Sequence, residues 1–346
     1  MTKHLAAIAL LLAALPCTAP AQPLPLTQTE QASGTQARLI AVSPVSDRVV
    51  WVSGANGTWA RTRDGGASWQ AGQVPGAEKL EFRDVHAVSA DKAWLLSIGP
   101  GEQSRIYLTV DGGAHWQQQF VNDQPKAFLD CMDFWDEQHA VVIGDSVDGH
   151  VDLLATDDGG THWTRLPAGA RLAAPSGEGS FAASGTCLVA RAGGLAWAVV
   201  SSPGQARLLA TRDQGRSWTA HALPITARAE SGPQTVAFRD DRHGITLAGG
   251  RTLAAGDVAA AVTDDGGQSW TPRSGPAQAQ GVWGAVYVPG SATVVAVGIS
   301  GAAYSRDEGL SWTALNGNNY WAVAFASAQA GWAVGTGGRI TRLSGF

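Results

Sequence analysis

The feature that most constrains this chain is an eight-residue phrase that recurs six times, [Ser/Thr]-x-Asp-x-Gly-x-x-Trp. Its fixed positions are Thr62, Asp64, Gly66 and Trp69; Thr109, Asp111, Gly113 and Trp116; Thr156, Asp158, Gly160 and Trp163; Thr211, Asp213, Gly215 and Trp218; Thr263, Asp265, Gly267 and Trp270; and Ser305, Asp307, Gly309 and Trp312. Successive Asp residues stand 47, 47, 55, 52 and 42 positions apart. Self-similarity at a period of roughly 40–50 residues, with strand-like spacers, predicts a β-propeller.

A second repeat counts the blades. Seven ungapped eleven-residue segments align, starting at Ala41, Asp84, Cys131, Cys187, Thr235, Ala285 and Ala322. Their second residue is always apolar, and their last opens another apolar run, as at Trp51, Trp94, Trp197 and Trp332. Each reads as a short strand, a turn and a buried strand. A third strand leads into each box, and a fourth begins at its Trp. The expected fold is therefore all-β: one seven-bladed propeller of four-stranded antiparallel blades over residues 22–346. The seventh segment has no box, so its outer strand must come from the other terminus. In three blades the box Trp precedes the next segment by 15 residues (Trp69 to Asp84, Trp116 to Cys131, Trp270 to Ala285), and the same count back from Ala41 reaches Leu26. The segment from Leu24 to Glu30 is expected to close the ring beside Arg339 to Leu343. Pro23 and Pro25 suit an outermost strand, where a missing N–H does little harm.

Only 15% of residues are charged and 43 are Gly, which suits short strands and tight turns. No window beyond the first twenty residues carries helical apolar spacing. Those first residues read as a signal peptide: Lys3 and His4, the apolar stretch Leu5 to Leu15, and Ala19-Pro20-Ala21 before a cut at Gln22. Cys17 follows Pro16, a poor fit to a lipidation site. The expected mature protein is exported to the periplasm as a monomer without a membrane span. Losing Lys3 leaves 23 basic and 29 acidic residues, which argues against nucleic acid as a partner.

In a Thr-x-Asp-x-Gly turn the hydroxyl and carboxylate bond the turn's own backbone, and Gly relieves the cost of positive φ. The boxes are accordingly read as structural. Asp157-Asp158-Gly159 lacks the alternating oxygens and closing Glu of a calcium loop. Asn56-Gly57 reads as a two-residue hairpin turn. No His pair has metal-binding spacing, and no nucleophile elbow or phosphate loop is present. No catalytic residue, metal or cofactor is expected.

The boxes resemble the Asp-box, or bacterial neuraminidase, repeat. The longer pattern is similar to the photosystem II stability/assembly factor family, on Asp84-Val-His-Ala-Val with Ala93-Trp94 and on Ala322-Val-Ala-Phe-Ala with Gly331-Trp-Ala-Val-Gly-x-Gly-Gly-Arg-Ile. That resemblance implies a seven-bladed scaffold that binds protein during assembly of a membrane complex, in the thylakoid lumen where the source is phototrophic. Gln214 and Glu308 depart from the pattern at the first Gly of their boxes, and Gly193-Gly194 interrupts an inner turn.

The competing readings are a sialidase-like hydrolase and a glycan-binding propeller without turnover. A sialidase uses an arginine trio, an Asp and a Tyr activated by Glu, rather than the usual two carboxylates. Here Arg38-Leu-Ile lacks the expected Pro, and Tyr107, Tyr287, Tyr304 and Tyr320 have no Glu beside them in sequence. A xyloglucanase-like enzyme pairs two such propellers, and this chain has room for one. Inner-strand polar residues Arg83, Asp84, His86 and Asp133 are the candidate partner contacts. Residues 167–185 form either a tolerated insertion or a partner-specific loop. Cys131 and Cys187 hold equivalent positions in adjacent blades, so their side chains are expected to point in the same sense and stay unpaired.

Overall fold

The computed structural model describes residues 25–181, 183–251, 253–277 and 281–346. The expected leader, residues 1–21 with Cys17, and Leu24 lie outside the described residues. Seven four-stranded sheets account for the strands among those described, each an antiparallel meander. The innermost strands are β2 (Leu39–Pro44), β6 (Glu81–Ala87), β10 (Leu129–Phe134), β14 (Leu188–Arg191), β18 (Ser231–Phe238), β22 (Val282–Tyr287) and β26 (Ala322–Ser327).

Five of these strands begin earlier than the aligned segments. A β-bulge interrupts the register at Leu39/Ala41, Phe82/Asp84, Leu129/Cys131, Pro233/Thr235 and Val282/Gly284. One extra residue breaks the alternation that sequence reading depends on, so the strand continues past the point where its pattern ends.

The N-terminal segment closes the ring. Strand β1 (Thr27–Ala32) pairs with β28 (Arg339–Ser344) from Thr27↔Ser344 to Ala32↔Arg339. Leu26 stands where the other blades have their box Trp, and the strand starts one residue later, as Gln70, Gln117 and Thr271 do.

Every box has the same hydrogen bonding. In the first, the Thr62 hydroxyl donates to Asp64 Oδ1 (2.7 Å) and accepts from the Gly66 N–H (2.9 Å). Asp64 accepts from the Ser68 N–H (2.9 Å) and hydroxyl (2.6 Å). In blades 2 and 3 His115 and His162 replace the Ser, each with Nδ1 2.6 Å from its Asp. The His115 N–H is the main reason that Asp111 titrates at about 2. The first-Gly N–H then hooks the inner turn of its own blade, as Gly65 does to Arg48 O and Gly159 to Gln138 O. Gln214 and Glu308 keep the turn by adopting φ of 58° and 55° themselves. Asn56 (φ 60°) and Gly57 (φ 66°) form the expected hairpin turn.

Blade-to-blade packing rests on the second-strand tryptophans. Trp51, Trp94, Trp197 and Trp332 are fully buried. The Trp51 indole donates to Ser89 O in the next blade (2.9 Å), Trp94 to Gly159 O (3.2 Å) and Trp197 to Gly266 O (2.9 Å). All four bury a large apolar face, and Trp51, Trp94 and Trp197 also satisfy their N–H across the seam, whereas the Trp332 N–H is buried without a partner among the described residues.

One expectation needs correction. Cys131 and Cys187 form a disulfide, with Cα atoms 6.0 Å apart. Innermost strands crowd around the axis, which brings equivalent positions of adjacent blades into bonding range. Equivalent positions point the same way only where the two backbones are identical, and here they differ. Cys131 lies inside β10 just after its bulge, whereas Cys187 precedes β14 and follows Gly185 at φ +76°. Residues 167–185 are partly built into the ring. Glu178, Ala183 and Ser184 are buried. Glu178 pairs with Arg207 Nε (2.7 Å).

Candidate functional site: the central channel and its mouth

An antiparallel meander puts the boxes and the first turns of all blades at one end of the ring. The interblade connections lie at the other end, here termed the mouth. Asp84, His86 and Asp133 come together inside the channel, whereas Arg83 is at the mouth.

The three channel residues act as struts between blades. Asp84 accepts from the Met132 N–H (2.7 Å) and from its neighbour Val85 (2.8 Å). Asp133 accepts from the Ala190 N–H in the following blade (2.7 Å) and from Phe134 (2.8 Å). His86 Nδ1 lies 3.1 Å from Asp133, and its ring stacks on Phe134 at 4.4 Å. Ser43 and Thr235 make the same kind of link, accepting from Ala87 (3.0 Å) and Ala285 (3.2 Å). A buried polar group is retained when its hydrogen bonds are met, and these are.

At the mouth, residues from four blades converge. Glu81 Oε1 is shared by Arg38 (2.6 Å) and Arg83 (3.2 Å). Both guanidiniums stack on Trp321, at 4.6 and 5.4 Å from its centroid, and Trp283 meets Trp321 edge-on at 3.7 Å. Beside them is an apolar cavity of about 320 Å³ walled by Arg83, Phe181, Gln234, Arg251 and Trp283. Among the described residues, Arg38 Nε, Trp321 Nε1 and Asp130 Oδ2 belong to the buried side-chain atoms that have no hydrogen-bond partner. Sequence reading found only Arg83 here. The signal was available in the residues one to three places before each aligned segment, where bulged strands turn their side chains to the mouth.

Three carboxyl groups in this region are hard to ionise. Burial raises Asp84 well above the ordinary carboxyl range, opposed by the Met132 N–H bond and reinforced by the Asp133 charge. Burial, then the Asp145 charge, does the same to Asp130. Burial pushes Asp145 from 3.8 up to about 6, opposed by one N–H bond from Ser180. A raised folded-state value gives stability that is fully present below pH 3.8 and lost as the pH rises through about 6. For Asp145 this amounts to about 3 kcal/mol. The box carboxylates act oppositely, because their lowered values give stability that is lost only in stronger acid. The protein should therefore have a higher urea midpoint at about pH 4.5 than at about pH 7.5, and Asp145→Asn should reduce that difference, with Asp84 and Asp130 keeping the remainder. A midpoint that falls steadily from neutral pH would contradict the assignment.

One constellation was invisible in the sequence. Tyr287 and Glu308 are near neighbours, with Glu308 3.0 Å from Arg239 Nε. Burial and then the Glu308 charge push the Tyr287 phenol upward, away from the phenolate that a nucleophile needs. Among the described residues, no group of three or more His, Cys, Asp or Glu is arranged to hold a metal.

The fold places the chain among seven-bladed β-propellers. It is similar over its whole ring to "YCF48 bound to D1 peptide", at TM-score 0.61 and 18% identity, covering 94% of this chain and 98% of that one. YCF48 from Cyanidioschyzon merolae superposes at TM-score 0.66 and 17% identity, covering 92% and 98%. The GH74 xyloglucanase of Xanthomonas campestris matches at TM-score 0.59 and 18% identity, over 91% of this chain and 53% of the enzyme. No family model matches the sequence, and no curated protein matches it. Among the described residues, no helix is long and apolar enough to cross a membrane.

Proposed function

We propose that this protein is an exported, non-catalytic propeller that binds a protein segment at its mouth and assists assembly or stability of a membrane complex. The observation that carries this reading is the mouth itself. Arginine and tryptophan dominate the energetics of protein interfaces, and here Arg38, Arg83, Trp283 and Trp321 meet around a cavity. The YCF48 neighbour bound to a D1 peptide supports the same class of partner, and the resemblance to photosystem II assembly factors points the same way. The basic start, apolar stretch and small-x-small site of the first 21 residues support export.

Catalysis is the weaker reading. The phenol of the buried Tyr287 is pushed away from the phenolate by burial and the Glu308 charge, and the xyloglucanase match spans about half of that enzyme. The test is a photo-crosslinker at position 283 in the native envelope. It should capture a subunit of one membrane complex, and the Arg38→Ala, Arg83→Ala double variant should lose that product while folding normally. Turnover of an aryl sialoside or of xyloglucan that disappears in Tyr287→Phe would overturn the proposal, as would a crosslink indifferent to both arginines.

A further inference from the structure

The connection between blades 3 and 4 leaves the rim and enters the channel. Ser184 Oγ donates to Trp283 O in blade 6 (2.7 Å). Gly185 lies against the Asp84 carboxyl of blade 2 so closely that a Cβ would overlap it. Thr186 O accepts from the Val236 N–H of blade 5 (2.9 Å). Four small residues thus touch three blades besides their own. Upstream, Gly179 exchanges two backbone hydrogen bonds with Ser201 (3.0 and 2.8 Å), and the Glu178–Arg207 pair is buried beside them. Downstream, the next residue is Cys187, bonded to Cys131 in blade 3. On the box side of this segment is a channel cavity of about 240 Å³, lined in part by Asp84, His86, Met132, Asp133 and Val236.

We propose that residues 183–186 are a plug that keeps the channel shut, and that the Cys131–Cys187 disulfide is its latch. Ala, Ser, Gly and Thr bury little apolar area, so the seat rests on a few hydrogen bonds and is easily vacated once its covalent tether is gone. The sulfurs are fully buried, so an attacking thiolate reaches them only after the plug lifts. The plug therefore guards its own latch. Release by a dithiol passes two electrons and two protons to the cystine, which gives two Cys thiols while the dithiol closes to a disulfide. In the thiol form the plug leaves the channel and the cavity beneath it becomes reachable from the mouth. This device is independent of what the mouth binds.

Amide exchange of the oxidised full-length mature protein, compared with Cys131→Ala/Cys187→Ala, tests the latch. The reporters are the Ser201 and Val236 amides, which donate to Gly179 O and Thr186 O. We expect their exchange without the disulfide to accelerate at least tenfold more than that of the β1–β28 ladder on the far side of the ring, which follows only the overall loss of stability. If the double variant does not fold, the oxidised protein treated with dithiothreitol gives the same reading. A second variant, Gly185→Val, displaces the plug and leaves the cystine intact. It should let dithiothreitol reduce the bond at least tenfold faster in native buffer. Reporter amides unchanged on loss of the disulfide would overturn the latch, as would equal acceleration in all seven blades. A reduction rate in Gly185→Val equal to that of the parent would overturn the plug.

Discussion

Deleting residues 22–34 should lower the melting temperature by on the order of 10 °C, with one transition before and after the deletion. Strand β1 is mostly solvent-exposed, so its contribution is not chiefly apolar burial. It pairs with β28 along six residues, and a ladder hydrogen bond contributes about 0.5–1.5 kcal/mol net. Its side chains add specific ties. Gln31 donates to Gly65 O (3.0 Å) and accepts from the Trp69 indole (3.2 Å), so it holds the box of blade 1 from blade 7. Glu30 accepts from the Thr341 hydroxyl (2.7 Å). A loss of about 3–6 kcal/mol follows. The deletion also bares the edge of β28, which should make the variant prone to association. Thermal melts of both proteins at matched concentration check this. A truncated protein that melts like its parent would show that the ring does not depend on this strand.

Replacing both Cys131 and Cys187 by Ser should lower stability by about 4 kcal/mol, read as a fall in the urea midpoint. The bond spans a sequence separation of 56, and a loop of that size restricts the unfolded chain considerably. It also ties β10 to the residue just before β14, beside the Asp133–Ala190 hydrogen bond. Mature oxidised protein should show no titratable thiol under denaturing, non-reducing conditions, and two after reduction. A loss below about 1 kcal/mol would mean that the crosslink joins residues already held together in the unfolded chain.

The blade count, the box turns and the ring closure were legible in the sequence because each is set locally and repeated. A Thr hydroxyl, an Asp two residues on and a Gly two further define a turn without help from the rest of the molecule, as Thr62, Asp64 and Gly66 show. Closure followed from the same period, since Leu26 falls where a box Trp would stand. The candidate site was legible only in part. Asp84, His86 and Asp133 were marked as inner-strand polar residues, but their bonds to Met132 and Ala190 cross from blade to blade. Sequence alignment of the repeats gives no such distances.

The sequence by itself determined a ring of seven repeated four-stranded units, because periodic turn chemistry and alternating apolar residues act within one blade. Tertiary structure alone decided the mouth, the plug and the disulfide. Arg38, Arg83, Trp283 and Trp321 are far apart in the chain and meet only because seven innermost strands wind about one axis. The plug and the Cys131–Cys187 bond arise where one connection breaks the rotational symmetry, and a repeat pattern carries no record of its own exception.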